Sequence, residues 1–168
     1  MRASFDDAFR SAATVFPELE RMGVPIQIFV CTAFARDGAA LAIPELAEDD
    51  PVQLATMTWD ELREHAARGV TVSSHGVAHA HLTRLGDDGV RMELTQSRQQ
   101  IEDELRGPCR EFAYPYGEHD ARVRRLVRAA GYERAYGLDA DGADRYALRR
   151  LDLYRRHSPV RALLRLYL

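Results

Sequence analysis

The sequence offers little sulfur chemistry. It has two cysteines, Cys31 and Cys109, and no CxxC pair, which excludes a disulfide framework and a cysteine-based structural zinc knot. No apolar run approaches the roughly 18 residues of a membrane span. The start lacks the charged-then-apolar pattern of a signal peptide. The expected location is therefore cytoplasmic as written, or secreted or envelope-associated if a signal precedes Met1. Nor is one charge in excess: 23 basic residues stand against 26 acidic ones, a net charge of −3. A broad field for nucleic acid or an anionic membrane is excluded. The arginine-rich stretches Arg122–Arg128 and Arg149–Arg156 read as solvated faces. No internal repeat is visible, and 168 residues fall short of the roughly 250 of a full eight-stranded β/α barrel.

What is present fits one domain over residues 1–168, with 46% hydrophobic and 29% charged residues. Arg2–Phe5 is a minimal strand ending at Asp6-Asp7. Phe9, Ala12, Ala13, Phe16, Leu19 and Met22 recur at helical spacing before Gly23. Ile26–Cys31 reads as a buried strand, and Thr32–Met57 as a long functional or variable loop. Thr58-Trp59-Asp60-Glu61 is a capping box opening a helix that stops at Gly69. Val70–Ser73 is a short strand. Val90, Leu94, Ile101 and Leu105 line one face of a helix closed by Gly107-Pro108. Glu111–Tyr114 is another strand, followed by a helix from about Ala121 to Gly131. Tyr146–Leu153 predicts one or two short strands and Val160–Tyr167 a final helix. Repeated strand–helix units imply a parallel sheet covered by helices.

The polar residues collect just past the strands. Asp6-Asp7, Ser73–His79 and Pro115–Gly117 all follow the C-terminal ends of predicted strands, the edge where β/α folds build their sites. His75 and His79 are four apart, so one helical turn would aim both imidazoles at a single ion. Gly76 allows a tight turn after the strand. His81 reads as lying outside the ligand set, with a supporting or substrate-side role. Two adjacent carboxylates are costly unless each is neutralised differently, one by a metal and one by a cation or shared proton. The alternative is that Asp6 or Asp7 merely caps the following helix. With His75 and His79, a carboxylate completes a two-histidine, one-carboxylate site with open positions. The aromatics of Phe112–Gly117 would wall a groove and stack on sugar faces, or form an ordinary turn.

SFDDAF, SSHGVAHAHL and FAYPYG, in this order and roughly this spacing, resemble the three leading motifs of the polysaccharide deacetylases (NodB homology, carbohydrate esterase family 4). The resemblance runs from Ser4 to about Tyr136 and implies a distorted, incomplete (β/α) barrel. It matches Asp7, His75 and His79 to metal ligands, Asp6 to the general base and the Tyr116 N–H to the oxyanion donor. It implies one divalent metal ion, with zinc expected first and cobalt, nickel or manganese as alternatives. It also implies an N-acetylated carbohydrate substrate, with Tyr114 and Pro115 on its binding side. Oligomeric state is not legible.

The sequence departs from the family pattern in places. Ala8 stands where the family has glycine after the aspartate pair. Ala113 stands three residues before Tyr116, where many members carry an arginine paired with the base. Arg149 or Arg150, on a later strand, is the candidate replacement. No Leu-x-His pattern for the general acid occurs, and His119 and His157 are neighbours in sequence only. The expected function is a metal-dependent carbohydrate N-deacetylase. The alternatives are a catalytically impaired glycan- or metal-binding module and an unrelated α/β domain.

Overall fold

A computed structural model of the protein describes residues 2–41, 43, 52–138 and 143–150. Six strands, β1 (Ala3–Phe5), β2 (Ile26–Val30), β3 (Thr71–Ser74), β4 (Glu111–Ala113), β5 (Arg134–Gly137) and β6 (Leu148–Arg149), pair in sequence order. All five pairings are parallel. The sheet curls into a half-barrel, the incomplete (β/α) barrel expected from the resemblance.

Strand alternation divides the sheet into two unlike faces. Ile26, Ile28, Val30, Val72, Phe112 and Ala135 join the main apolar cluster with the covering helices α1 (Phe16–Arg21), α2 (Trp59–Ala67), α3 (Asp87–Leu105) and α4 (Ala121–Ala129). The other face is polar at its base. The Gln27 amide donates to Ser73 Oγ at 2.9 Å and Glu111 Oε2 at 2.8 Å. Arg2 and the Tyr136 hydroxyl donate to the same Glu111 oxygen at 3.0 and 2.9 Å. Above this layer Phe29 lies against Tyr136, with ring centroids 5.7 Å apart.

The local signals act as their chemistry requires. Thr58 and Glu61 form the full capping box of α2, side chain to backbone in both directions. Asp120 caps α4 by accepting from the Val123 N–H at 2.7 Å. The helical pattern over Phe9–Met22 resolves into a 3-10 helix, Arg10–Val15, followed by α1, because Pro17 suits only a helix's first turn. In the Thr32–Met57 loop, isolated antiparallel bridges join Phe9 to Thr56 and Ala40 to Ala55. The helix expected at Val160–Tyr167, and His157, lie outside the described residues. No described helix is long and apolar enough to cross a membrane.

Candidate metal centre

Asp6 and Asp7 leave the end of β1 in different directions because Asp7 takes a left-handed conformation, φ +64°, and Ala8 follows at +54°. Ala8 is fully buried and its carbonyl accepts from the Met57 N–H at 2.8 Å. A left-handed alanine costs about 1–2 kcal/mol, which glycine would avoid. Neither aspartate caps a helix: the following 3-10 helix has Phe9 at its N-cap and no side-chain cap bond.

His75 follows β3, and its N–H donates to the Val30 carbonyl at 2.9 Å. Its ring is almost wholly buried, with Nδ1 2.8 Å from the Ala113 carbonyl. A carbonyl can only accept, so Nδ1 carries the proton and Nε2 keeps its lone pair for a ligand. The two histidines do not sit on a helical turn as expected. Residues 75–79 form a bent loop, with Gly76 at φ +87° and His79 at +56°. These left-handed residues fold the chain back, so the rings meet edge-on with centroids 5.0 Å apart.

Asp7 Oδ1 lies 3.4 Å from His79 Nε2 and 3.7 Å from His75 Nε2. One ligand atom from each of the three residues lies within 4.8 Å of the others. Zinc bonds of about 2.0–2.2 Å in a tetrahedron would set ligand atoms about 3.4 Å apart. The donor set and its spacing therefore fit one divalent ion.

The two carboxylates have opposite electrostatic surroundings. Burial raises the Asp6 carboxyl, but the positive charge of the His75 ring when it is protonated and the Arg150 guanidinium outweigh it and hold the group below its ordinary range. Arg150 grips Asp6 with two bonds, Nη1 to Oδ1 at 2.5 Å and Nη2 to Oδ2 at 2.7 Å. Burial pushes Asp7 up from 3.8 to about 6; His75 opposes that rise and Asp6 adds to it. Asp6 thus has its cation within the protein, while Asp7 is an anion short of positive charge, as a metal ligand awaiting its ion would be. Asp6 is also the more open of the two, 33% exposed against 13%. Of the two candidate arginines, Arg150 reaches Asp6, braced 5.2 Å over the Phe29 ring. Arg149 stays in β6, paired with Gly137 and exposed.

Tyr116 sits in the turn Pro115–Gly117 with φ +59°. Its ring meets His79 edge-on at 4.5 Å and stacks on His81 at 3.7 Å with planes 6° apart. His81 Nδ1 bonds Glu118 Oε2 at 3.0 Å. Tyr114 and Pro115 are the residues expected on the substrate-binding side. Both are buried; Tyr114 packs on Phe112 and His119, and its hydroxyl donates to the Tyr146 carbonyl at 2.7 Å. They support the turn that presents Tyr116.

Sequence reasoning missed Glu93. It is 4% exposed on α3, and its Oε2 accepts from the N–H groups of Val77 and Ala78 at 2.7 and 3.2 Å. A signal existed: Glu93 and Ser97 fall on the same helical face as Val90, Leu94 and Ile101. Two polar residues on an apolar stripe call for partners.

The profile of the polysaccharide deacetylase family matches residues 2–135. YxkH of Bacillus subtilis (strain 168), whose name assigns it provisionally to the polysaccharide deacetylases, is 22% identical over 99 residues, 56% of this chain and 36% of YxkH. The match therefore spans about a third of that relative. The Streptococcus pyogenes deacetylase PplD, solved in complex with acetate, superimposes with a TM-score of 0.79 at 20% identity, covering 97% of this chain and 68% of PplD. The deacetylase domain of BpsB from Bordetella bronchiseptica gives 0.70 at 22% identity, covering 88% and 68%. At these identities the two structures speak for the fold.

Proposed function

Because the chain belongs to the polysaccharide deacetylase family, we propose that it is a metal-dependent hydrolase removing an N-linked acyl group, acetyl first, from a sugar unit of a glycan. The observation that carries this reading is the division of labour in the aspartate pair: Asp6 is clamped by Arg150, and Asp7 faces two histidines without a cation of its own. The acetate held by PplD is the product expected of such a reaction.

Asp7, His75 and His79 would hold the ion, with zinc the first expectation and cobalt, nickel or manganese the alternatives. A bound dication supplies Lewis acidity, polarising the amide carbonyl and lowering the pKa of water. Asp6, kept ionised and oriented by Arg150, takes the proton of the attacking water. The Tyr116 N–H donates to the oxygen of the tetrahedral adduct, a contribution on the order of 3 kcal/mol in related acyl chemistry. The C–N bond then breaks, and the sugar amine leaves with a proton as acetate forms.

A second reading, a module that binds metal and glycan without turnover, is favoured by the absence of any Leu-x-His pattern. Acetate release from N-acetylated chito-oligosaccharides by zinc-loaded protein decides between them. Turnover that falls at least about 100-fold in Asp6→Asn, with zinc content unchanged, supports hydrolysis with Asp6 as the base. Intact substrate across N-acetylated and N-formylated glycans, with stoichiometric zinc, selects the binding module. Absence of zinc binding in both wild type and His75→Ala overturns both.

A further inference from the structure

The loop that carries the two histidines holds no regular hydrogen-bond ladder, so its shape must come from elsewhere. The strand side supplies half of the support. The Thr32 N–H donates to the Gly76 carbonyl at 3.1 Å and the Ala33 N–H to the Val77 carbonyl at 3.0 Å. Ser74 Oγ accepts from the Gly76 N–H at 3.1 Å and donates to Ser97 Oγ at 2.8 Å. The other half is one carboxylate oxygen, Glu93 Oε2, which takes both the Val77 and the Ala78 N–H. The approach is close: a Cβ at Gly76 would lie 2.9 Å from that oxygen, and the left-handed φ there already favours glycine.

A carboxylate buried to this degree is expensive, and Glu93 has no ion pair among the described residues. Its compensation comes from the two loop N–H dipoles. Two N–H donors left without an acceptor would each cost about 1–3 kcal/mol, so the loop would turn them toward water. Such a turn would move His79, which lies at the end of the same loop in a left-handed conformation. We propose that Glu93 is the positioning residue of the metal centre, a staple from α3 that holds residues 75–79 in the ligating shape before any ion arrives. The metal part of this inference rests on the deacetylase reading; the loop-ordering part does not.

The experiment compares wild type, Glu93→Ala, Glu93→Gln and Leu94→Ala. In metal-free protein, amide hydrogen exchange at Val77 and Ala78 should accelerate at least about tenfold in Glu93→Ala and return within about threefold of wild type in Glu93→Gln, whose amide oxygen still accepts. The zinc dissociation constant, by chelator competition, should rise about 10–100-fold in Glu93→Ala, and saturating zinc should restore turnover. Leu94→Ala, a neighbouring core truncation, should leave loop exchange and zinc affinity near wild type. If Glu93→Ala does not fold, Glu93→Asp, which withdraws the carboxylate by one methylene, should show the same losses in smaller measure. Exchange and zinc affinity within twofold of wild type in Glu93→Ala, or no recovery in Glu93→Gln, overturns the proposal. Wild type that binds no zinc would end the metal reading, while metal-free exchange would still decide the role of Glu93.

Discussion

Asp6 and Asp7 are chemically identical neighbours in the chain, and their surroundings make them different acids. The Arg150 clamp and, when protonated, the His75 ring hold Asp6 low against the cost of burial, whereas Asp7 is pushed up to about 6. This difference predicts a pH effect. To act as the proposed base Asp6 must be ionised, and its depressed pKa would then keep turnover available toward acid. Arg150→Gln removes two charge-assisted bonds and should move the acid limb of the kcat/KM profile to higher pH by about one unit or more. A limb at the wild-type position would refute Arg150 as the partner of the base. Residue identity alone made the pair visible. It could not choose between Arg149 and Arg150, because only in the folded chain does Arg149 stay in β6 while Arg150, just past its end, reaches Asp6. Four of the five described non-glycine residues with positive φ are Asp7, Ala8, His79 and Tyr116. Backbone strain of this kind concentrates where function over-determines the geometry. The fifth, Arg106, ends α3.

At the level of elements, those with strong local chemistry were readable. The Thr58 capping box lies at a helix start because its side chains bond their own backbone, whatever packs around them. The histidine loop was not readable. HxxxH spacing suits a helical turn, but the Gly76 and His79 dihedrals and the Glu93 staple impose a bend instead. The aromatic turn left two readings open, a sugar platform or an ordinary turn, and in the fold Tyr114 and Pro115 are buried beneath Tyr116. Gly117 closes that turn at φ +70°, and a Cβ there would lie 2.3 Å from Leu138 Cγ. Gly117→Ala should therefore cost at least about 2 kcal/mol of stability by urea unfolding. Its turnover should fall further than its zinc affinity, since the turn positions Tyr116 and supplies no ligand. Equal stability to wild type would contradict the packing described.

The whole molecule carries the cost of the site. Asp7 is raised from 3.8 to about 6 when no ion is bound. Its contribution to stability is present below pH about 4 and is lost as pH rises through about 6. Metal-free Asp7→Asn should thus be more stable than metal-free wild type by roughly 2–3 kcal/mol at pH 7, and the gap should close as pH falls to about 4. Zinc should roughly close this gap at 100 times its dissociation constant and reverse the order at 1,000 times, where it adds about 4.1 kcal/mol to wild type. At 100 times its dissociation constant it adds about 2.7 kcal/mol to wild type, a rise of about 5–10 °C in Tm for a chain of this size. Scanning calorimetry with and without chelator reads both effects. Equal Tm with and without zinc would refute the site. The sequence by itself determined the strand–helix alternation, the sheet edge where the polar residues gather and the family, since these rest on local periodicity and motif order. Only the tertiary structure decided which aspartate takes the arginine, that Arg150 supplies it from 144 residues away, and that a glutamate on α3 holds the histidine loop. Those pairings join residues distant in the chain, and curling the sheet brings them together.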